Sequence, residues 1–213
     1  MIRDVAAAGL LSAMAGVLLL ARFAFCGRLT YGFLGYNLIL GLIPMVLSVA
    51  AVVAARRDRH WLAVALFAPW LAFFPNAPYL VTDLYHLHAR DPVPYWYDIA
   101  LLSSYGMTGL LVGLLSLRQQ AELVRGLLGR VASWAMVIGA AGLSGLAIYI
   151  GRFLRWNSWD LVVDPVGILA DLSAQVFSGR LWGVTLLYGG LILGTYLAFA
   201  MVAAQPNRDR YLA

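Results

Sequence analysis

A carboxylate and an imidazole three residues apart, Asp83 and His86, close a long apolar run in the segment Phe74-Pro75-Asn76-Ala77-Pro78-Tyr79-Leu80-Val81-Thr82-Asp83-Leu84-Tyr85-His86-Leu87-His88. If helix resumes after Pro78, then Tyr79, Asp83, His86 and Arg90 fall at i, i+4, i+7 and i+11 and share one face. A carboxylate beside an imidazole orients the ring and raises its basicity, which is what a general base needs. The same two side chains can also supply two metal ligands, with His88 or Asp160 as a third. The plainer reading is that they are solvated or salt-bridged at the edge of an apolar segment.

A second polar cluster, Gly151-Arg152-Phe153-Leu154-Arg155-Trp156-Asn157-Ser158-Trp159-Asp160, closes another apolar run. Two guanidiniums, Arg152 and Arg155, can clamp a phosphate or carboxylate. On a continuing helix Arg152, Trp156 and Trp159 share a face, and interfacial Trp and Arg commonly serve as anchors. Asn157 and Asp160 can reach across to Asp83, His86 or Asn76, and an Asp83–Arg155 or Asp160–Arg90 bridge is an equal alternative to a bound ligand. Asp83 and His86 are therefore the catalytic candidates. Asn76, Tyr79, Arg152, Arg155, Asn157 and Asp160 are the ligand-binding candidates. The pattern assigns no metal site and names no cofactor.

The elements that must position these groups are membrane spans. The chain has 213 residues, of which 62% are hydrophobic and 12% charged, with a mean hydropathy of +0.82. A soluble domain carries about 25% charged residues, so a soluble fold is excluded. A span takes about 20 apolar residues, and six stretches qualify: Val5–Phe25, Leu34–Ala55, Trp61–Val81, Ile99–Leu117, Val131–Ile150 and Leu181–Ala203. The expected fold is all-α, one polytopic bundle of six transmembrane helices forming a single domain. The apolar run after Arg3 lacks a small-residue cleavage site and reads as a retained first span.

Pro75 and Pro78 each remove a backbone donor, so the third span should break there, with the Asn76 amide capping a freed carbonyl. Asp164 before Pro165 is a good helix start. Val166, Leu169, Leu172 and Val176 make an apolar stripe, which predicts an interfacial helix over residues 165–177. Small residues four apart (Ala8/Ser12/Gly16, Gly109/Gly113, Ala141/Gly145, Gly190/Gly194) predict close helix packing.

All 15 basic residues are Arg. No nucleic-acid motif accompanies them, so nucleic acid is rejected as a partner. With six spans, Arg3, Arg56, Arg57, Arg59, Arg118, Arg125, Arg130, Arg208 and Arg210 share one side. Arg22, Arg28, Arg90, Arg152, Arg155 and Arg180 occupy the other. The positive-inside rule then puts both termini in the cytoplasm of a bacterial cell and both polar clusters at the outer face of the inner membrane. Cys26 is alone, so no internal disulfide forms. Gly142-Leu143-Ser144-Gly145 matches the Gly-x-Ser-Gly of rhomboid proteases, but the last span has no His to act as base. The two polar clusters follow spans three and five. Those are not equivalent positions in a three-plus-three inverted repeat, which weakens a transporter reading.

Phe74-Pro75-Asn76-Ala77-Pro78-Tyr79 with Thr82-Asp83-Leu84-Tyr85-His86-Leu87, followed by Gly151-Arg152-Phe153 and Arg155-Trp156-Asn157-Ser158-Trp159-Asp160, resembles a family of small bacterial integral membrane proteins, domain of unknown function 1361. The resemblance covers nearly the whole chain. It implies a polytopic membrane protein and no established activity. The expected function is a polar site at the outer leaflet that binds or processes an anionic lipid or lipid-linked precursor. The alternatives are a non-catalytic scaffold among other membrane subunits and, third, a small transporter.

Overall fold

The apolar runs fold as helices, and the computed structural model, which describes residues 1–203, has no strand among them. Arg208 and Arg210, counted above on the cytoplasmic side, lie outside the described residues. The elements are α1 (Ile2–Cys26), α2 (Phe33–Arg56), α3 (His60–Ala65), α4 (Phe67–Phe73), α5 (Asn76–Tyr79), a 3-10 helix (Leu80–His86), α6 (Tyr95–Tyr149), a π-helical turn (Ile150–Leu154), α7 (Asp160–Val163), α8 (Pro165–Ala174) and α9 (Gly179–Ala203). Five continuous stretches are long and apolar enough to cross a membrane. The longest of them, Tyr95–Leu154, is two passes, so the bundle has six.

The division of α6 is set by Gly129, whose φ of 88° and ψ of 178° reverse the chain; this left-handed region is open to a residue without Cβ. The Ser133 hydroxyl donates to the Ala121 carbonyl at 2.7 Å. Along a straight helix residues twelve apart would be separated by about 18 Å, so the two arms must fold back as a hairpin. The apolar run predicts an end to span four at Leu117, but helix runs on through Arg118 to the reversal, and residues 118–130 carry the hairpin tip.

The third pass is broken more often than two prolines predict. Besides the break at Pro75, α3 and α4 separate at Leu66. Pro69 has no N–H, so the Ala65 carbonyl four residues earlier loses its helical partner. Trp70 anchors this pass in the core: it is fully buried, and its Nε1 donates to Ser116 Oγ at 2.7 Å.

Around α6 pack α1, α2, α9 and the broken third pass. α1 buries Ala8, Ala15 and Arg22, each seven residues from the next. A Cβ on Gly109 would collide with the Ala77 carbonyl and Leu80, and one on Gly145 would come within 2.8 Å of the Gly189 backbone nitrogen of α9. Those two glycines let the broken pass and α9 close on α6. Gly16, Gly190 and Gly194, assigned to packing by spacing alone, face open space instead. Outward faces are apolar: Leu10, Val17 and Leu20 of α1 and Leu186, Leu187 and Leu191 of α9 are exposed, as a lipid-facing surface requires.

At one end Asp4 accepts from Arg118 and Gln119. This joins the N-terminus to the hairpin tip. The two polar motifs lie at the other end, beneath α7 and α8. Asp164 caps α8 by accepting from Gly167 N–H at 2.9 Å, as the sequence predicts. The helix stops at Ala174 rather than residue 177. Its buried residue is Ile168, and the predicted stripe of Val166 and Leu169 faces outward.

Candidate functional site

The third pass ends in a 3-10 helix rather than the α-helix expected, and this changes which residues share a face. With about three residues per turn, Asp83 and His86 stack one above the other, with Thr82 beside them. Arg90 drops off that face, and its guanidinium lies 5.2 Å from the Tyr31 ring centre. At the far motif the second arm of α6 widens into the π-turn. Arg155 then takes a left-handed φ of 63° and directs the chain back over the bundle. The helix that would have aligned Arg152, Trp156 and Trp159 therefore ends at Leu154.

The widened turn carries Arg152 across to the 3-10 face. Its Nε donates to Thr82 Oγ1 at 2.8 Å, its Nη2 pairs with Asp83, and its Nη1 lies 2.8 Å from His86 Nε2. A guanidinium only donates, so Nε2 accepts and the His86 ring proton sits on Nδ1. The guanidinium also covers the Tyr79 ring at 4.4 Å, a cation–π contact. Asp83, fully buried, spends its second oxygen on the Asn37 amide of α2 at 3.0 Å.

This geometry revises the acid–base expectation. Asp83 and His86 make no direct hydrogen bond; Arg152 stands between them, and the nitrogen that would act as base is occupied. The metal alternative fares no better, since no group of three His, Cys, Asp or Glu side chains gathers among the described residues. The anion clamp is halved: of its two guanidiniums Arg152 is committed to Asp83, and the exposed Arg155 makes no ion pair among the described residues. The anticipated Asp83–Arg155 and Asp160–Arg90 bridges do not form. Asp160 turns inward on its own loop, accepting from the Asn157 N–H at 2.6 Å.

A second tie joins the motifs. Ser158 Oγ donates to Asn76 Oδ1 at 2.7 Å, while the Asn76 amide donates to the Phe73 carbonyl at 3.0 Å. Asn76 thus caps the broken helix and holds the loop above it. Between loop and break lies a cavity of about 180 Å³. Leu40, Ala72, Ala147, Ile150 and Ile168 form its apolar walls. Asn37, Asn76, Tyr79, Asn157 and Ser158 supply polar groups, and Trp156 and Trp159 supply indoles. No charged side chain among the described residues lines it.

The family model described as "Protein of unknown function (DUF1361)" matches residues 36–194, a segment that contains both motifs and every residue of this cavity. The chain belongs to the DUF1361 family. No curated protein and no solved structure matches it.

In this DUF1361 chain the sequence-derived candidates sort into two sets. Asp83, His86 and Arg152 form a hydrogen-bonded network behind the cavity wall. Asn76, Tyr79 and Asn157 line the cavity, whereas Arg155 and Asp160 do not. Sequence reasoning missed Asn37, which connects these sets, and Ser158, which ties the second motif to Asn76. Asn37 sits in the second turn of an apolar span, and a lone amide there is a signal in itself, since polar groups at membrane depth need partners. Ser158 carried no such signal.

Proposed function

We propose that this DUF1361 protein binds the head of a lipid or lipid-linked precursor in the cavity between its two motifs, reading it through hydrogen bonds and aromatic faces rather than through paired guanidiniums. The observation that carries this reading is the lining itself: amides, a phenol and indoles over an apolar floor, with the nearby charges cancelled behind the wall. Ligand sites are mostly apolar, with a few placed polar groups that orient the ligand. A cavity of about 150 Å³ holds one benzene-sized ring, so about 180 Å³ suits a single ring-sized head. The acyl or polyprenyl chain would lie along the apolar outer faces. By the distribution of Arg, the cavity faces the outside of a bacterial inner membrane. No reaction is assigned, because the acid–base pair does not line the cavity.

The test is native mass spectrometry of the detergent-purified protein with three lipids of equal acyl chains: monoglucosyl diacylglycerol, phosphatidylglycerol and diacylglycerol. Retention of the glucosyl lipid over both others, reduced by Asn157→Ala and by Trp159→Ala, is expected. Equal retention of all three lipids overturns the proposal. Preference for phosphatidylglycerol that is lost in Arg155→Gln restores the anionic reading.

A non-catalytic role for the motifs is favoured by one separate observation. Every polar atom of the Asp83–Arg152–His86 network that is buried has a partner within the chain. Unchanged lipid binding in the cavity variants, with loss of co-purifying subunits, would select that reading.

A further inference from the structure

At the end of the bundle opposite the motifs, the α6 hairpin tip and the last turns of α9 enclose a second cavity of about 500 Å³. Its polar lining is basic: Arg118, Arg125 and Arg130 face a single Glu122. Arg118 is held by Asp4 at 3.0 Å and approaches Glu122 at 3.7 Å. Arg125 and Arg130 are exposed and make no ion pair among the described residues. Arg118 Nε gives a second, independent sign: it lines the cavity as a buried donor with no hydrogen-bond partner among the described residues, and buried polar groups ordinarily find one. Tyr196, whose residue is only 6% exposed, lines the cavity as well, with its hydroxyl left accessible to it. Trp134, edge-on to Tyr196 with ring centres 6.3 Å apart, supplies an apolar wall.

We infer that this cavity is a phosphate-recognising site, with Arg125 and Arg130 holding the anion and the Tyr196 hydroxyl donating to it. Basic pockets between membrane helices are the usual seat of anionic lipid headgroups. The volume falls within the range of small-molecule sites and admits a glycerophosphate head. The position at the Arg-rich end, with apolar helix faces on either side, lets acyl chains remain in the bilayer. The shared chemistry is the phosphate, whether it belongs to a lipid head or is free. The inference is independent of the ligand proposed for the first cavity.

The experiment measures binding to the full chain in nanodiscs or detergent, with phosphatidylglycerol, diacylglycerol of the same acyl chains and inorganic phosphate as separate probes. Phosphatidylglycerol should bind in preference to diacylglycerol. Arg125→Gln and Arg130→Gln should each weaken it roughly five-fold, the worth of one basic group near an anionic surface. Tyr196→Phe should weaken it about three-fold, the scale of one hydrogen bond. Arg130→Lys, which keeps the charge, should retain most of the binding and controls for folding. Competition by millimolar inorganic phosphate assigns the site to a free phosphate; competition only by the lipid assigns it to a headgroup. Equal binding of the two lipids without phosphate binding, or wild-type affinity in all three weakening variants, overturns the inference.

Discussion

Two Arg–Asp pairs lie at the motif end of this bundle, and they differ in what surrounds them. Arg22 of α1 donates to both oxygens of Asp98 at 2.6 and 3.1 Å. Both side chains are essentially inaccessible, at 2% and 0%, and Arg22 lies over Tyr31 at 4.7 Å. The pair joins α1 to the start of α6 and lines neither of the two cavities described above. In the other pair Arg152 keeps 15% of its side chain exposed and serves Thr82 and His86 as well. Its Asp83 passes through Asn37 to a cavity wall. A closed ion pair fixes two helices. An ion pair that shares its oxygens with a cavity-lining amide can also transmit what happens in the cavity. Pair geometry alone does not distinguish them; the neighbours do.

The sharpest way to break this contrast is Asp98→Asn. Removing one partner of a buried pair leaves an uncompensated charge, at a cost of about 3–5 kcal/mol. A large fall in the melting midpoint in detergent is expected, with ligand retention unchanged in the protein that stays folded. Arg22→Met with Asp98→Leu should recover most of that loss, since apolar replacement of a whole buried pair is often neutral. Failure of the double variant to recover would mean that the pair does more than join helices. Asp83→Asn should cost less, about 2 kcal/mol, because Arg152 retains water and two further partners. It should also alter binding in the first cavity. Equal stability losses at Asp98 and Asp83 would erase the distinction drawn here.

The same contrast explains how far the sequence could be read. The passes were legible because lipid demands long apolar runs, and the break at Pro75 because proline cannot donate. Arg22 and Asp98 looked like two ordinary boundary charges, since 76 residues separate them and nothing local marks a partner. The meeting of the two motifs was legible from their complementary groups at equal depth. The partners within that meeting were not. They depend on a 3-10 helix replacing an α-helix at Leu80 and on a π-turn at Ile150, shifts of a fraction of a turn that no hydrophobic pattern encodes. Arg152 reached Asp83 because of those shifts, and Arg155 did not.

Asn37→Leu tests the link between network and cavity. It leaves Asp83 Oδ2 without its amide donor, and a buried acceptor that loses its partner costs about 1–3 kcal/mol. The loss should be near the lower end, because Arg152 still neutralises the carboxylate. Its mark should be a change in cavity binding that Asp98→Asn lacks. Binding that survives Asn37→Leu intact would separate the ion pair from the cavity and make both pairs structural.

The smallest effect belongs to the tie across the roof. Ser158 is half-buried, and its hydroxyl holds the 156–159 loop to Asn76 through one bond of 2.7 Å. Ser158→Ala should therefore destabilise the fold by no more than about 1 kcal/mol. Asn76 still caps Phe73, so the broken helix keeps its shape. The loop, however, carries Trp156 and Trp159 over the cavity, and it is otherwise anchored by Trp156 Nε1 donating to Asp171 at 2.9 Å. Releasing one of its two side-chain hydrogen bonds to the bundle should raise loop exchange, read as faster amide hydrogen exchange over residues 156–161, and should weaken lipid retention more than it lowers the melting midpoint. Because ordering the roof then falls to the ligand, bound lipid should restore slow exchange. A variant whose exchange and retention both match the wild type would show that Asp171 alone seats the roof, and that the hydroxyl of Ser158 has no part in closing the cavity.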